Sequence, residues 1–78
     1  MNIYRVTVNN YSMGVVIDKP FQSLAAAQKF IRNDFWKEFP ETTYGDIRSI
    51  LDSGWGEYRG DEGKALGEVN LDSEEVVA

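Results

Sequence analysis

The chain contains no cysteine and no histidine. Without them a Ser-His-Asp or Cys-His nucleophile cannot form, and the common zinc sites lose their ligands. The phosphate-binding patterns Gly-x-x-x-x-Gly-Lys and Gly-x-Gly-x-x-Gly are also missing. Carboxylates, lysine and tyrosine remain for acid–base chemistry, but a catalytic cleft is hard to build from 78 residues. We therefore expect a protein that is not an enzyme and that uses neither a cofactor nor a metal ion.

Long apolar runs are missing as well. The chain contains no stretch of about 18 apolar residues, the length needed to span a membrane. Residues 1–6 alternate between apolar and polar as in a strand and do not form the apolar segment of a signal peptide. The lack of cysteine fits a reducing compartment. The sequence thus predicts a cytoplasmic protein without a membrane partner.

Acidic residues outnumber basic residues, and they are concentrated in the second half of the chain. Residues 1–37 carry a net charge of +3, whereas residues 38–78 carry −8, which together give the net charge of −5. Such an imbalance concerns binding partners more than folding. It indicates an acidic surface that attracts a basic protein, and it argues against direct binding of nucleic acid.

The first predicted element is a β-hairpin with Asn9-Asn10 as its loop, because asparagine tolerates the positive φ of tight turns. This loop aligns three apolar pairs across the hairpin: Val8 with Tyr11, Val6 with Met13, and Tyr4 with Val15. Ile17 continues the same side, so one face of the hairpin is apolar. The other face is assigned Ile3, Arg5, Thr7, Ser12, Gly14 and Val16.

A long helix is predicted after the hairpin. Pro20 ends the second strand, and Ser23 is a good N-cap for a helix that ends near Glu38. The core face of this helix follows helical spacing and comprises Leu24, Ala27, Ile31 and Phe35, with Phe39 nearby. Phe30 and Trp36 are assigned to its flanks.

A shorter helix is predicted over residues 44–53, with Thr43 and Asp46 as a capping pair and Gly54 as its C-terminal stop. Its apolar side comprises Tyr44, Ile47, Ile50 and Leu51. A strand over residues 46–51 is the alternative.

Residues 55–59 and 64–71 predict a second hairpin around the turn Gly60-Asp61-Glu62-Gly63. With Asp61-Glu62 at the tip, Tyr58 pairs with Ala65 and Gly56 pairs with Gly67. The predicted core side comprises Tyr58, Ala65, Val69 and Leu71, and the outward side comprises Trp55, Glu57, Leu66 and Glu68. This register places Arg59 opposite Lys64, an unfavourable like-charge pair, so a helical turn over residues 64–69 is the alternative.

The order β-β-α-α-β-β predicts an α+β fold. We expect a small antiparallel sheet, made from two β-hairpins, with one long and one short helix covering one of its faces. A chain of this length forms a single domain, which we place at residues 1–71. Residues 72–78 are acidic and are expected to form a frayed tail.

The candidate partner-binding residues are six carboxylates and one tryptophan: Asp46, Asp52, Trp55, Glu57, Asp61, Glu62 and Glu68. Alternate residues of a strand lie about 7 Å apart on one face, so Glu57 and Glu68 can share the outward face. A row of carboxylates on a rigid sheet is similar in its field to the phosphates of DNA, and a basic nucleic-acid channel would accept it. The alternative is that these charges only keep the surface soluble.

Two aromatic residues outside the predicted core have two interpretations each. Trp55 is either an exposed interface anchor beside the carboxylates or a cap on the end of the core. Trp36 lies in a basic patch with Lys29, Arg32 and Lys37, which we interpret as the solvated face of the long helix.

Small size, acidity, the lack of Cys and His, and a hairpin followed by an amphipathic helix resemble the small inhibitors of phages and mobile elements, such as anti-CRISPR and anti-restriction proteins. The resemblance implies a protein that binds a bacterial defence nuclease or a CRISPR surveillance complex and blocks its DNA-binding surface. For a phage-encoded chain it implies the cytoplasm of the bacterial host. The alternative is a structural or accessory module, monomeric or homodimeric, that associates through the apolar residues Phe30, Trp36, Val16 or Ile3.

Overall fold

The computed structural model describes residues 2–38, 44–60 and 63–75. These residues form β1 (Asn2–Asn10), β2 (Gly14–Phe21), α1 (Leu24–Lys29), α2 (Phe35–Glu38), α3 (Tyr44–Ser53), β3 (Trp55–Arg59) and β4 (Ala65–Glu75). A π-helical segment, Phe30–Asp34, joins α1 to α2 without a break. The strands form one antiparallel sheet in the order β2-β1-β4-β3, so the predicted α+β class is confirmed.

The two hairpins are joined through β1 and β4, the central strands. Their pairing runs from Asn2 opposite Glu75 to Asn10 opposite Gly67. Residues 72–75 therefore belong to the sheet, and the expectation of a frayed tail is wrong for them; residues 76–78 lie outside the described residues. The reason is that β1 offers backbone donors and acceptors along its whole length, and pairing with β4 satisfies them.

The first hairpin has a different register from the predicted one. Residues 11–13 form its turn, and Val8 pairs with Ile17 instead of Tyr11. The side chain of Asn10 stabilises a turn at residues 11–13 rather than at residues 9–10. Its Oδ1 accepts hydrogen bonds from the backbone N–H groups of Ser12 (2.9 Å) and Met13 (3.0 Å). As a result three apolar residues predicted to face the core are exposed: Tyr11, Met13 and Val15.

The core lies between the helices and one face of the sheet. Its buried side chains are Val6, Val8, Ala27, Phe30, Ile31, Phe35, Ile47, Ile50, Tyr58 and Val69. Two aromatic contacts tie the layers together: Phe21 with Phe30, at 5.4 Å between ring centroids, and Phe35 with Tyr58, at 5.7 Å.

The π-helical segment changes which residues of the long helix face the core. The N–H of Phe35 donates to the carbonyl of Phe30, five residues back. In a regular α-helix these two side chains would point about 140° apart, but one π turn brings them to the same side. Phe30 is consequently 8% exposed, and its assignment to a flank is wrong. Leu24, expected in the core, is 43% exposed.

The helix boundaries agree with the sequence. Ser23 caps α1, since its Oγ accepts a hydrogen bond of 3.1 Å from the N–H of Ala26. Helix α3 spans the predicted residues, so a strand there is excluded, and Gly54 ends it with a φ of 76°. Thr43, the other half of the predicted capping pair, lies outside the described residues.

The second hairpin is shifted by two residues from its predicted register. Tyr58 pairs with Gly67, Gly56 pairs with Val69, and a bulge near Leu66 sets Arg59 opposite Ala65 rather than Lys64. A helical turn over residues 64–69 is therefore wrong. Leu66, expected to point outward, packs partly against the core.

The shift has a steric cause at Gly67. A Cβ atom there would lie 2.5 Å from the carbonyl oxygen of Asn9 and 2.6 Å from Oη of Tyr58. Only glycine leaves room for the buried Tyr58 ring, whose hydroxyl oxygen accepts a hydrogen bond of 2.9 Å from Nδ2 of Asn10. The predicted register placed Gly67 opposite Gly56, so no large side chain would have occupied the space that Gly67 leaves open.

We expect Gly67→Ala to lower the free energy of unfolding by about 2–3 kcal/mol or more, because the nearest clash is with backbone that cannot move aside. Urea unfolding followed by circular dichroism measures this change. Asn70→Ala, in the same strand, is the control and should change the free energy by less than about 0.5 kcal/mol. Equal stability of the two variants would contradict the proposed contact.

Candidate partner-binding surface

The second face of the sheet has none of the described helices over it, and we call it the open face. The cross-strand pairing brings its side chains into rows: Asp18, Thr7, Asn70 and Trp55; Val15, Asn9, Glu68 and Glu57; Pro20, Arg5 and Asp72; Ile3 and Glu74. Among these residues there are five carboxylates and one cation, Arg5. The open face is therefore strongly acidic.

Arg5 neutralises part of this charge at one end of the open face. Its guanidinium contacts Oδ1 of Asp18 at 2.6 Å and Oε1 of Glu74 at 3.3 Å. The hydrogen bond to Asp18, and then the two negative charges, raise the pKa of Arg5 above its ordinary value. The residue thus stays charged and offsets one of the three negative charges at this end, from Asp18, Asp72 and Glu74, while two further carboxylates stand at the other end of the face.

At that other end Glu57 and Glu68 face each other directly across β3 and β4, and we call them the acidic pair. Leu71 donates its N–H to Gly54 at 2.8 Å, so by alternation the acidic pair occupies a non-hydrogen-bonded site, where cross-strand side chains are closest. Like charges directly opposite each other on neighbouring strands repel. This position therefore lowers the stability of the sheet.

Two neutral aromatic donors contact the acidic pair. Oη of Tyr11 donates to Oε2 of Glu57 at 2.6 Å, and Nε1 of Trp55 donates to Oε2 of Glu68 at 3.1 Å. Because neither donor is cationic, the hydrogen bonds orient the carboxylates without cancelling their charge. The combination leaves a double negative charge with two aromatic rings beside it.

The position of the Tyr11 backbone explains why its phenol reaches Glu57 on β3. Its N–H donates to the carbonyl of Leu66 at 3.0 Å, which extends the β1–β4 ladder by one residue into the turn. From there the phenol crosses β4 and meets Glu57 on β3. The hydrogen bond to Glu57, followed by partial loss of hydration, raises the pKa of Tyr11 to about 12.

The structure brings together three of the seven residues predicted to bind a partner. Glu57, Glu68 and Trp55 share the open face, and Trp55 is 46% exposed beside the acidic pair rather than capping the core. Asp46 and Asp52 lie on α3, in the helical layer, where Asp46 contacts Arg59 at 3.6 Å. The two remaining residues, Asp61 and Glu62, lie outside the described residues.

Four other residues of this surface were not among the predicted site residues: Tyr11, Asp18, Asp72 and Glu74. The alternation of β1 and β2 could have found Asp18 once the correct turn was known. Asp72 and Glu74 required the pairing of β4 with β1, which joins distant parts of the chain. Tyr11 required the Asn10 turn.

The charge density along β4 can be compared with that of DNA. Glu68, Asp72 and Glu74 share one face of this strand, and six residues of strand span about 20 Å. One strand of DNA carries roughly six phosphates over the same length. β4 alone thus has about half that density, and Glu57 on the adjacent β3 and Asp18 on β2, at the far edge of the sheet, add to it. In the described part of the chain, no three such groups stand close enough to hold a metal ion.

No protein-family model matches the chain, and neither the curated proteins nor the solved structures gave a significant similarity. None of the helices in residues 2–38, 44–60 and 63–75 is both long and apolar enough to cross a membrane.

Glu68→Gln should raise the free energy of unfolding by about 0.5–1 kcal/mol, because it removes the repulsion within the acidic pair and retains an acceptor for Trp55. Chemical unfolding measures the change. Glu74→Gln is the matched control: it weakens the contact with Arg5, so it should not stabilise the protein. A destabilised Glu68→Gln protein would refute the like-charge interpretation.

The phenol of Tyr11 should ionise near pH 12, well above its ordinary pKa of 10.0. Since the folded pKa is the higher one, the stability from this hydrogen bond is complete below pH 10 and is lost as the pH rises to about 12. Glu57→Gln should lower the midpoint toward 10. The measurement is the absorbance of tyrosinate in each protein minus that of the same protein with Tyr11→Phe. An unchanged midpoint in Glu57→Gln would exclude the carboxylate as the cause.

Proposed function

We propose that this protein is a non-enzymatic inhibitor whose open face binds the basic, DNA-binding surface of a bacterial defence nuclease or CRISPR surveillance complex. The observation that carries the proposal is the open face itself, with five carboxylates against one cation that is already paired. A site that holds DNA is basic, and it attracts such a face before contact.

Charge alone would speed the encounter more than it would tighten the complex. The aromatic residues beside the acidic pair supply the contact area that tight binding needs. Trp55 and Tyr11 are about half exposed, although their polar atoms are already bonded to the carboxylates. Tryptophan and tyrosine are the residues most often found at the energetic centre of interfaces. We therefore place the centre of the interface at the acidic pair and its two aromatic neighbours.

The cross-strand pairing of two like charges supports a role in binding. A sheet optimised only for stability would place opposite charges at a close cross-strand site. Here Glu57 and Glu68 occupy it, with neutral donors beside them. Local violations of this kind occur mainly at functional sites, where the lost stability is recovered elsewhere in the fold.

A second candidate is the apolar interaction module, which was expected to use Phe30, Trp36, Val16 or Ile3. Phe30 is buried and cannot serve, but Val16 is exposed, and Met13 and Val15 beside it are 76% and 63% exposed. These side chains adjoin the β2 edge of the sheet. Pro20 and the bulge in β2 hinder strand pairing at that edge, which favours the open face as the main surface.

The test is restoration of phage growth on bacteria that carry an active CRISPR or restriction system. The wild-type chain should raise plaque formation, and Glu57→Lys with Glu68→Lys should abolish the effect. The control is Asp34→Lys with Asp52→Lys, which makes the same change in charge on the helical layer, at exposed carboxylates, and should retain it. Bacteria without the defence system give the reference plaque count.

Binding to the purified target measures the same effect directly. The double reversal on the open face should weaken binding roughly 10- to 100-fold, and competing duplex DNA and added salt should release the wild-type protein. Loss of binding in the helical-layer control, which contains Asp52, would move the partner to the other side of the molecule. Equal binding by all variants would refute the acidic interface.

A further inference from the structure

The surface of the long helix, residues 24–38, carries an excess of positive charge, opposite in sign to the charge of the open face. The exposed cations here include Lys29, Arg32 and Lys37 along the long helix, and Lys19, whose Nζ lies 5.1 Å from the centre of the Phe30 ring. We call these four residues the cationic patch. The long helix also carries two carboxylates, Asp34 and Glu38, and Asp34 lies 3.8 Å from Lys37.

We propose that the cationic patch of one copy docks on the open face of a second copy, so that copies of this chain stack head to tail. Four cations with two carboxylates, Asp34 and Glu38, would face five carboxylates with one cation. Two open faces repel each other, and so do two cationic patches. A two-fold symmetric contact through either surface is therefore disfavoured, and the contact is between unlike surfaces.

The charge of the whole chain disfavours a nucleic acid or an anionic membrane as the occupant of the cationic patch. With a net charge of −5, the molecule is repelled by an extended polyanion before the patch can make contact. The open face is an anionic area of limited extent on the same chain, with five carboxylates. Each copy thus carries both halves of the contact.

Whole-molecule repulsion and contact attraction respond differently to salt. At an ionic strength of about 0.01 M the screening length of roughly 30 Å exceeds the smallest dimension of the protein, 20 Å, so copies with like net charge repel. At about 0.15 M the length falls to roughly 8 Å, and only the touching faces interact. At about 1 M the screening length is roughly 3 Å, so the attraction between touching faces is screened as well. Association should therefore be strongest at intermediate salt.

The stacking does not require the proposed function, because it needs only purified protein. The two processes do use the same surface, so a bound partner and a second copy exclude each other. Self-association would then keep part of the protein inactive at high concentration.

Sedimentation velocity at the three ionic strengths, with protein up to millimolar concentration, tests the proposal. We expect an average mass above 8.9 kDa that is largest near 0.15 M salt. Glu57→Lys with Glu68→Lys, and separately Lys29→Glu with Arg32→Glu, should each reduce association roughly tenfold or more. Asp34→Lys with Asp52→Lys reaches the same net charge as the first variant, −1 instead of −5, yet should associate at least as well as wild type.

A mixing experiment distinguishes the head-to-tail contact from other modes. The Glu57→Lys, Glu68→Lys protein retains its cationic patch, and the Lys29→Glu, Arg32→Glu protein retains its open face. Mixed together they should form a two-chain particle that grows no further, because each complex uses up its only intact surfaces. A mass of 8.9 kDa under all conditions, association that only rises with salt, or no complex in the mixture would overturn the proposal.

Discussion

The structure depends on how Tyr58 is accommodated. Its ring lies on β3 against the bare backbone of Gly67 on β4, and its hydroxyl accepts a hydrogen bond from Asn10 at the end of β1. One side chain thus fixes the register of three strands. Because side chains alternate between the faces of a sheet, a slip of one residue would bury Glu57 and remove Trp55 from the open face. Glu57 and Trp55 therefore lie on the open face because the buried position of Tyr58 fixes the register of β3.

The sequence was most informative where the signal is local. Ser23 and Gly54 marked helix boundaries, and the spacing of Ile47 and Ile50 identified the short helix, because capping and periodicity involve neighbouring residues. The outward position of Glu57 and Trp55 followed from simple alternation. These features place the acidic pair on an exposed face without any knowledge of the remaining fold.

Nonlocal and side-chain-specific contacts could not be predicted. Hydrogen bonds to the Asn10 side chain determine the position of the first turn. One π turn brings Phe30 and Phe35 to the same side of the long helix. The space above Gly67 determines the register of the second hairpin. Each of these features depends on a contact that the spacing of apolar residues in the sequence does not indicate. The addition of Asp72 and Glu74 to the open face required the pairing of β1 with β4. The open face consequently combines Asp18 from the first half of the chain with Glu57, Glu68, Asp72 and Glu74 from the second half.

The pairing of β1 with β4 also bears on how the protein folds. Arg5 and Glu74, which meet across these central strands, are 69 positions apart in the chain. Such distant partners can meet only after a large loop closes, and proteins dominated by distant contacts fold slowly. During synthesis the first hairpin must therefore wait for the last strand, with its future neighbour missing. Until then the β1 edge exposes unpaired backbone groups, which can pair with a strand of another chain.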